Sequence, residues 1–194
     1  MTFASIGQDV IIWPQAKIAS PDKIVIGNAV IIDDFVLLIG GERTRIGDFV
    51  HIGAFTSIAG GGEFIMEDFS GVSGGVRIYT GNEDYSGACM TNPTVPAPFR
   101  EPIRSFVRIR KHALIGANSV ILPGVTIGEG AVVAAGSLVT RDCKAWTTYR
   151  GSPARRQGDR PSETILRLEA DLCKTAYDAH GQYIAKSDRV ARVP

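Results

Sequence analysis

No apolar run in this chain of 194 residues approaches the roughly 18 residues that cross a bilayer as a helix. The opening Met1-Thr2-Phe3-Ala4-Ser5 has no basic segment leading into an apolar one. Both absences lead us to expect a soluble, cytoplasmic protein. Cysteine is scarce: Cys89, Cys143 and Cys173 are odd in number, widely spaced and without a CxxC, which argues against a disulfide framework or a thiolate metal site. They read as small buried or half-buried side chains. Histidine is equally scarce, at 51, 112 and 180 only. There is no interleaving of aromatic and basic residues of the kind that binds nucleic acid.

What the chain has instead is a period of six. Aliphatic residues recur as Ile6/Ile12/Ile18, Ile26/Ile32/Leu38, Ile46/Ile52/Ile58, Met66/Val72/Ile78, Ile109/Ile115/Ile121 and Ile127/Val133/Val139. A helix spaces its apolar positions three and four apart and a half-buried strand two apart, so this spacing fits neither. It fits a solenoid in which each six-residue side is a short strand and three sides close one coil, the core being continued by the next coil. Small residues follow many of these positions, as in Ile46-Gly47, Ile52-Gly53 and Ile115-Gly116, where the backbone must turn. The 31-residue step from Ile78 to Ile109 marks one large insertion.

The pattern resembles that of the hexapeptide-repeat acyltransferases over residues 6–157. That resemblance implies an all-β fold, a left-handed parallel β-helix of about six coils with a loop insertion at about 86–106, assembled as a homotrimer with active sites between subunits. The handedness rests on the family alone, since the general rule for parallel crossovers favours the right hand. Residues 1–157 would form the acyltransferase domain and residues 158–194 a helical tail. Within the tail Ile165, Leu168, Leu172 and Ala176 fall at helical spacing behind Ser162, a suitable N-cap. The last dozen residues are expected to fray. A three-histidine zinc site occurs on this fold, but it requires two histidines five apart, and none here are that close.

The resemblance also implies acetyl-CoA or another acyl-CoA as co-substrate, with no metal. Val133 to Arg141, followed by Gly151-Ser152-Pro153-Ala154-Arg155, is similar to the family's coenzyme A signature. Carried over, backbone amides near Ala117 and Ala135 would bond the pantetheine arm, Thr140 and Arg141 would lie along it, and Arg155 would face the phosphates. Where some relatives carry a second basic residue this chain has Gly158, and Arg156 is the neighbouring candidate. Charge agrees: residues 1–99 hold 5 Lys and Arg against 11 Asp and Glu, whereas residues 100–160 hold 11 against 4. A run rich in arginine suits phosphate recognition; a solvated basic face is the plainer reading.

For the acceptor, Val76 to Tyr85 occupies the place where galactoside and maltose acetyltransferases carry a catalytic histidine, and Glu83 stands there instead. A sugar hydroxyl needs a base during attack, for which imidazole is suited, whereas a neutral amine is already nucleophilic and a carboxylate suffices to take its proton. A narrower likeness points the same way. Asp48-Phe49-Val50-His51-Ile52, Gly60-Gly61-Gly62, Met66-Glu67-Asp68-Phe69, Ser73 and Glu83-Asp84-Tyr85-Ser86-Gly87 resemble the N-acyltransferases acting on dTDP-4-amino-4,6-dideoxyglucose. In that subgroup a carboxylate and a serine line the amine site; they correspond to Glu83 and Ser73, with His51 a further member and an aspartate in place of the glutamate. Asp84 is an alternative to Glu83, and both Ser73 and His51 also read as corner residues. The expectation is an acyl-CoA-dependent N-acyltransferase of a nucleotide-linked amino sugar in surface polysaccharide synthesis. Its rivals are a sugar O-acetyltransferase with His51 as base and a non-catalytic β-helix scaffold.

Overall fold

The computed structural model describes residues 2–190. Its strands are short and stack on three faces, parallel throughout except for the last strand of one face. The first face holds Ser5–Ile6, Ile24–Ile26, Arg43–Ile46, Glu63–Met66, Phe106–Ile109 and Val125–Ile127. The second runs from Ile11–Ile12 through His51–Ile52, Gly71–Val72 and Leu114–Ile115 to Thr147–Arg150, and is closed by the antiparallel strand Arg155–Asp159. The third runs from Lys17–Ala19 through Ser57–Ala59 and Arg77–Tyr79 to Leu138–Val139. The result is six full coils and the start of a seventh, a parallel β-helix.

The six-residue period appears as columns. Ile6, Ile26, Ile46, Met66, Ile109 and Ile127 stand opposite one another in successive coils, and the column passes the insertion unbroken. All the residues of the six triplets are buried except Ile6 and Ile12. Those two lie in the first coil, which has no coil beneath it, so Ile6 is 47% exposed. Each side also carries a second inward position, including Val50, Phe64, Val107 and Val125. Where that position is a hydroxyl it is satisfied locally: Ser119 and Ser137 both donate to the Ala134 carbonyl, at 3.1 and 2.7 Å.

Corners need left-handed backbone, and several carry aromatic side chains there. Phe35 and Phe55 have φ of 62° and 63° and stack at 4.9 Å. Phe49 and Phe69, at 56° and 57°, stack at 5.0 Å, and His112 continues that column at 5.2 Å. Positive φ is unfavourable for such residues. Stacking in register, worth about 0.5–1.5 kcal/mol a pair beyond burial, offsets part of that cost.

The insertion has a built neck. Gly81–Asn82 pairs antiparallel with Ile103–Arg104, so the chain leaves the solenoid a few residues before the expected 86 and is back in register at Phe106. Gly62 lies where the neck crosses the coil: a Cβ there would sit 1.9 Å from the Ser105 carbonyl oxygen and 2.4 Å from that of Thr80.

The tail folds back along the solenoid. Helix α1, Glu163–Ala176, starts after Ser162, which holds the N-cap place but makes no side-chain cap bond. Its apolar stripe is largely uncovered, with Leu168 54% exposed and Ala176 alone buried. Polar contacts fasten it. Glu169 pairs with Lys111 and lies 2.6 Å from His112 Nε2. Burial pushes the Glu169 carboxyl up, but those two partners outweigh it and hold it below its ordinary value. Tyr177 Oη donates to Asp48 at 2.6 Å, and Tyr183 Oη to Asp9 at 2.8 Å. A short helix α2, Lys186–Val190, follows. Within the dozen residues expected to fray, Tyr183 and Lys186 N are held by Asp9 on the first coil; residues 191–194 lie outside the described residues. His112 is a structural residue of this junction, and His180 is exposed. Among the described residues no helix is long and apolar enough to cross a membrane.

Candidate active site

Glu83 and Asp84 follow the outgoing strand of the neck, and their side chains are used differently. Asp84 accepts from Ser86 N at 2.8 Å, Ser86 Oγ at 2.7 Å and Cys89 N at 3.0 Å. The bonds from Ser86, then that from Cys89, hold its carboxyl down at about 2, so it is the acceptor of a loop turn and a weak base. Glu83 Oε1 is 3.1 Å from Arg100 Nη2, and both side chains are mostly covered. Its Oε2 is buried without a hydrogen-bond partner among the described residues. Beyond this pair the loop forms a hollow of about 620 Å³ lined by Cys89, Met90, Phe99 and Arg100 among others.

His51 lies on the second face between Ile31 and Gly71, as the 20-residue register requires. Next to Gly71 there is room, since a Cβ would meet only Leu114 Cδ1, at 3.4 Å. The imidazole is exposed, and its Nε2 lies 3.0 Å from Asp33 Oδ2. Ser73, at the next corner, donates its backbone N–H to Ile115 O at 2.9 Å and accepts from Thr56 Oγ1 through its carbonyl at 3.1 Å. Its hydroxyl makes no hydrogen bond among the described residues. Two partners escaped the sequence: Arg100 registered only as one of a basic run, and Asp33 stands 18 residues before His51, off the 20-residue period.

The basic run does not form one face. Arg108 pairs with Glu63, Arg110 with Glu67, Lys111 with Glu169 and Arg100 with Glu83, while Arg160 donates to the carbonyls of His112 and Gly130. For Arg108 and Arg110 the reason is stacking: Phe106–Ile109 lies directly on Glu63–Met66, so these arginines meet acids of the acidic half. What remains is smaller. Arg141, Arg155 and Arg156 line a hollow of about 260 Å³ with Tyr149, Ala154 and Asp142. Arg155 reaches only the Ala154 carbonyl, at 3.1 Å, and Arg156 pairs with Asp159 at 2.6 Å. Gly158 borders open space, and Thr140 is exposed beside Arg141. Ala117 and Ala135 occupy the same corner in successive coils, and neither amide donates to a protein acceptor among the described residues. A Cβ on Gly116 would lie 2.4 Å from Ala135 N, so the coils touch closely along this edge.

Among the described residues no three His, Cys, Asp or Glu side chains gather in a way that could hold a metal ion. A three-faced solenoid with free corner amides, an arginine-lined hollow and one long loop defines a transferase of the hexapeptide-repeat kind, and residues 106–141 match the bacterial transferase hexapeptide (six repeats) family. The chain is 41% identical over 171 residues to the dTDP-4-amino-4,6-dideoxy-D-glucose acyltransferase of Escherichia coli, covering 88% of each. It therefore belongs to the family of that enzyme, the hexapeptide-repeat acyltransferases. Its structure is similar to that of AntD, an N-acyltransferase from Bacillus cereus solved with dTDP and coenzyme A, at a TM-score of 0.82 and 38% identity over 89% of this chain and 91% of that one. AntD has also been solved with dTDP and 3-hydroxybutyryl-CoA. A probable macrolide acetyltransferase of Lysinibacillus sphaericus is 35% identical over 128 residues, 64% of this chain and 69% of the relative.

Proposed function

We propose that this protein transfers an acyl group, acetyl or larger, from acyl-CoA to the amino group of a dTDP-linked amino-dideoxy sugar, as a cytoplasmic step of surface polysaccharide such as O-antigen. The observation that carries the reading is Glu83, with one oxygen held by Arg100 and the other buried and unpartnered. A buried orphan acceptor is costly unless something donates to it. An incoming ammonium or amine does so.

The amine lone pair forms the new C–N bond at the thioester carbonyl, the C–S bond breaks, and the nitrogen proton passes to Glu83 and on to the departing thiolate. The amide and free coenzyme A result. No covalent enzyme intermediate is needed, and the buried Cys143, whose thiol desolvation and Asp142 push up to about 12, is unsuited to forming one. Ser73 is assigned to the amine site and Asp84 to holding the loop. The substituted AntD forms solved with dTDP and coenzyme A alter a serine and an aspartate ten residues apart, the separation of Ser73 and Glu83 here. The free amides at Ala117 and Ala135 and the arginines at 141, 155 and 156 suit a pantetheine arm ending in phosphates.

A homotrimer with its sites between subunits agrees with the exposed apolar surface of the second face and its edges, where Ile11, Trp13, Phe35, Phe55 and Leu114 are each at least 43% exposed. Glu83→Gln, assayed with dTDP-4-amino-4,6-dideoxyglucose at saturating acyl-CoA, should lower turnover by about 10²–10⁴. Unchanged turnover removes Glu83 from the role. The Asp33–His51 pair supports a second reading, in which His51 is the base for a hydroxyl acceptor; there His51→Ala would be the larger loss, and a hydroxy sugar the better substrate.

A further inference from the structure

We infer that Arg100 is the residue that positions the acceptor carboxylate, and so sets how well the enzyme deprotonates its amine. The inference rests on the assignment of Glu83 made above. Arg100 ends the one-turn 3₁₀ helix Ala97–Phe99, on the return half of the loop, some seventeen positions from Glu83 in sequence. Its two guanidinium nitrogens do different things. Nη2 lies 3.1 Å from Glu83 Oε1, and Nη1 donates to the Asn92 carbonyl at 3.2 Å. One planar group thereby joins the outgoing limb, the far bend and the returning limb of the insertion. The side chain is only 14% exposed, so its charge meets little competing solvent.

The effect on Glu83 is directional. A carboxylate has two oxygens, and a fork fixed at a second point can hold one of them without swinging with it. With Oε1 occupied, the torsion about the carboxyl is settled and Oε2 is the oxygen left to accept. That oxygen is buried and unpartnered, while the neighbouring Asp84 has hydrogen bonds at both oxygens. The loop thus leaves a single acceptor atom of the Glu83–Arg100 pair unengaged, its place fixed by an arginine that need not touch substrate. Lysine in this place supplies a point charge without the planar fork, and so serves only in part.

The test is a set of variants read by kcat and KM separately, with trimer assembly and melting temperature as controls. Arg100→Met should lower kcat for the amino sugar by about 10- to 100-fold with the KM for acyl-CoA unchanged, since the coenzyme site lies on other coils. Arg100→Lys should recover part of the loss. In a Glu83→Gln background Arg100→Met should cost less than about threefold more, because both changes act through one group. Full loss again in that background, or no recovery by lysine, would make Arg100 a structural brace of the loop and overturn the inference. Wild-type kcat in Arg100→Met overturns it too, while Glu83→Gln remains impaired and the base assignment stands. Wild-type turnover in Glu83→Gln sinks both.

Discussion

Replacing Arg155 by alanine isolates the coenzyme side of the site. Arg155 is exposed, and its guanidinium makes one bond, at 3.1 Å, to the carbonyl of the residue before it. Removing it costs the fold little, within the roughly 0.5 kcal/mol usual for a surface change. On the proposed assignment its partner in the bound state is a phosphate. A charge-assisted bond contributes about 1.5–3 kcal/mol when shielded, and water around this shallow hollow reduces that to about 1–1.5 kcal/mol. The KM for acyl-CoA should therefore rise roughly 5- to 12-fold, a factor of ten being about 1.4 kcal/mol, with kcat held. Steady-state kinetics at saturating amino sugar measures both. A parallel series with the acyl derivative of dephospho-coenzyme A asks which phosphate is met: if it is the one on the ribose, the variant and the wild type converge. A fall in kcat at unchanged KM would refute the placement, because it would put Arg155 at the reacting carbonyl.

Shortening residues 88–104 to a tight turn should leave the β-helix and its assembly intact by light scattering, since the columns on either side keep their own contacts, while acyl transfer collapses; a fully active variant would deprive the loop of its role. Phe64→Ala removes a fully buried ring between Thr44 and Val107 and should cost about 3–5 kcal/mol in a denaturant melt. Desolvation, then donation to Asp9, pushes the Tyr183 phenol up to about 12, and Tyr177 is raised by the same kinds of cause through Asp48. Groups raised on folding stabilise below their unfolded value of about 10 and lose that contribution as pH climbs through the folded one. Two of the five tyrosines should thus ionise late in an absorbance titration, the tail loosening as they do, and each of Tyr177→Phe and Tyr183→Phe should remove one.

The coils were readable because one inward position on each side stays aliphatic at a six-residue interval, and the 20-residue register of the early coils foretold that His51 stands beside Gly71. Ends and excursions obey no such interval. The neck strands Gly81–Asn82 and Ile103–Arg104 are two residues each, too short to carry a period. Tyr177 and Tyr183 meet acids 129 and 174 positions away, which no local pattern announces. The basic run misled for a related reason: only once the insertion is excised does Arg108 come to lie by Glu63, and a patch in sequence dissolves into ion pairs in space. At the candidate site Glu83 stood out as a departure from one motif and Ser73 as a match to another, but Arg100 did not, since nothing distinguishes it from its arginine neighbours until the loop closes on itself.

That closure has a further consequence. Because the chain comes back beside the point where it left, the whole excursion is a parenthesis in the text of the solenoid: what stands inside can be rewritten, lengthened or exchanged without altering a rung outside. On the proposed assignment, donor recognition lies on the rungs at 117, 135 and 141–156, and the acceptor carboxylate lies within the brackets. A lineage could therefore change which molecule it acylates while keeping the way it holds the acyl carrier, and the two halves of the reaction are free to diverge at different rates.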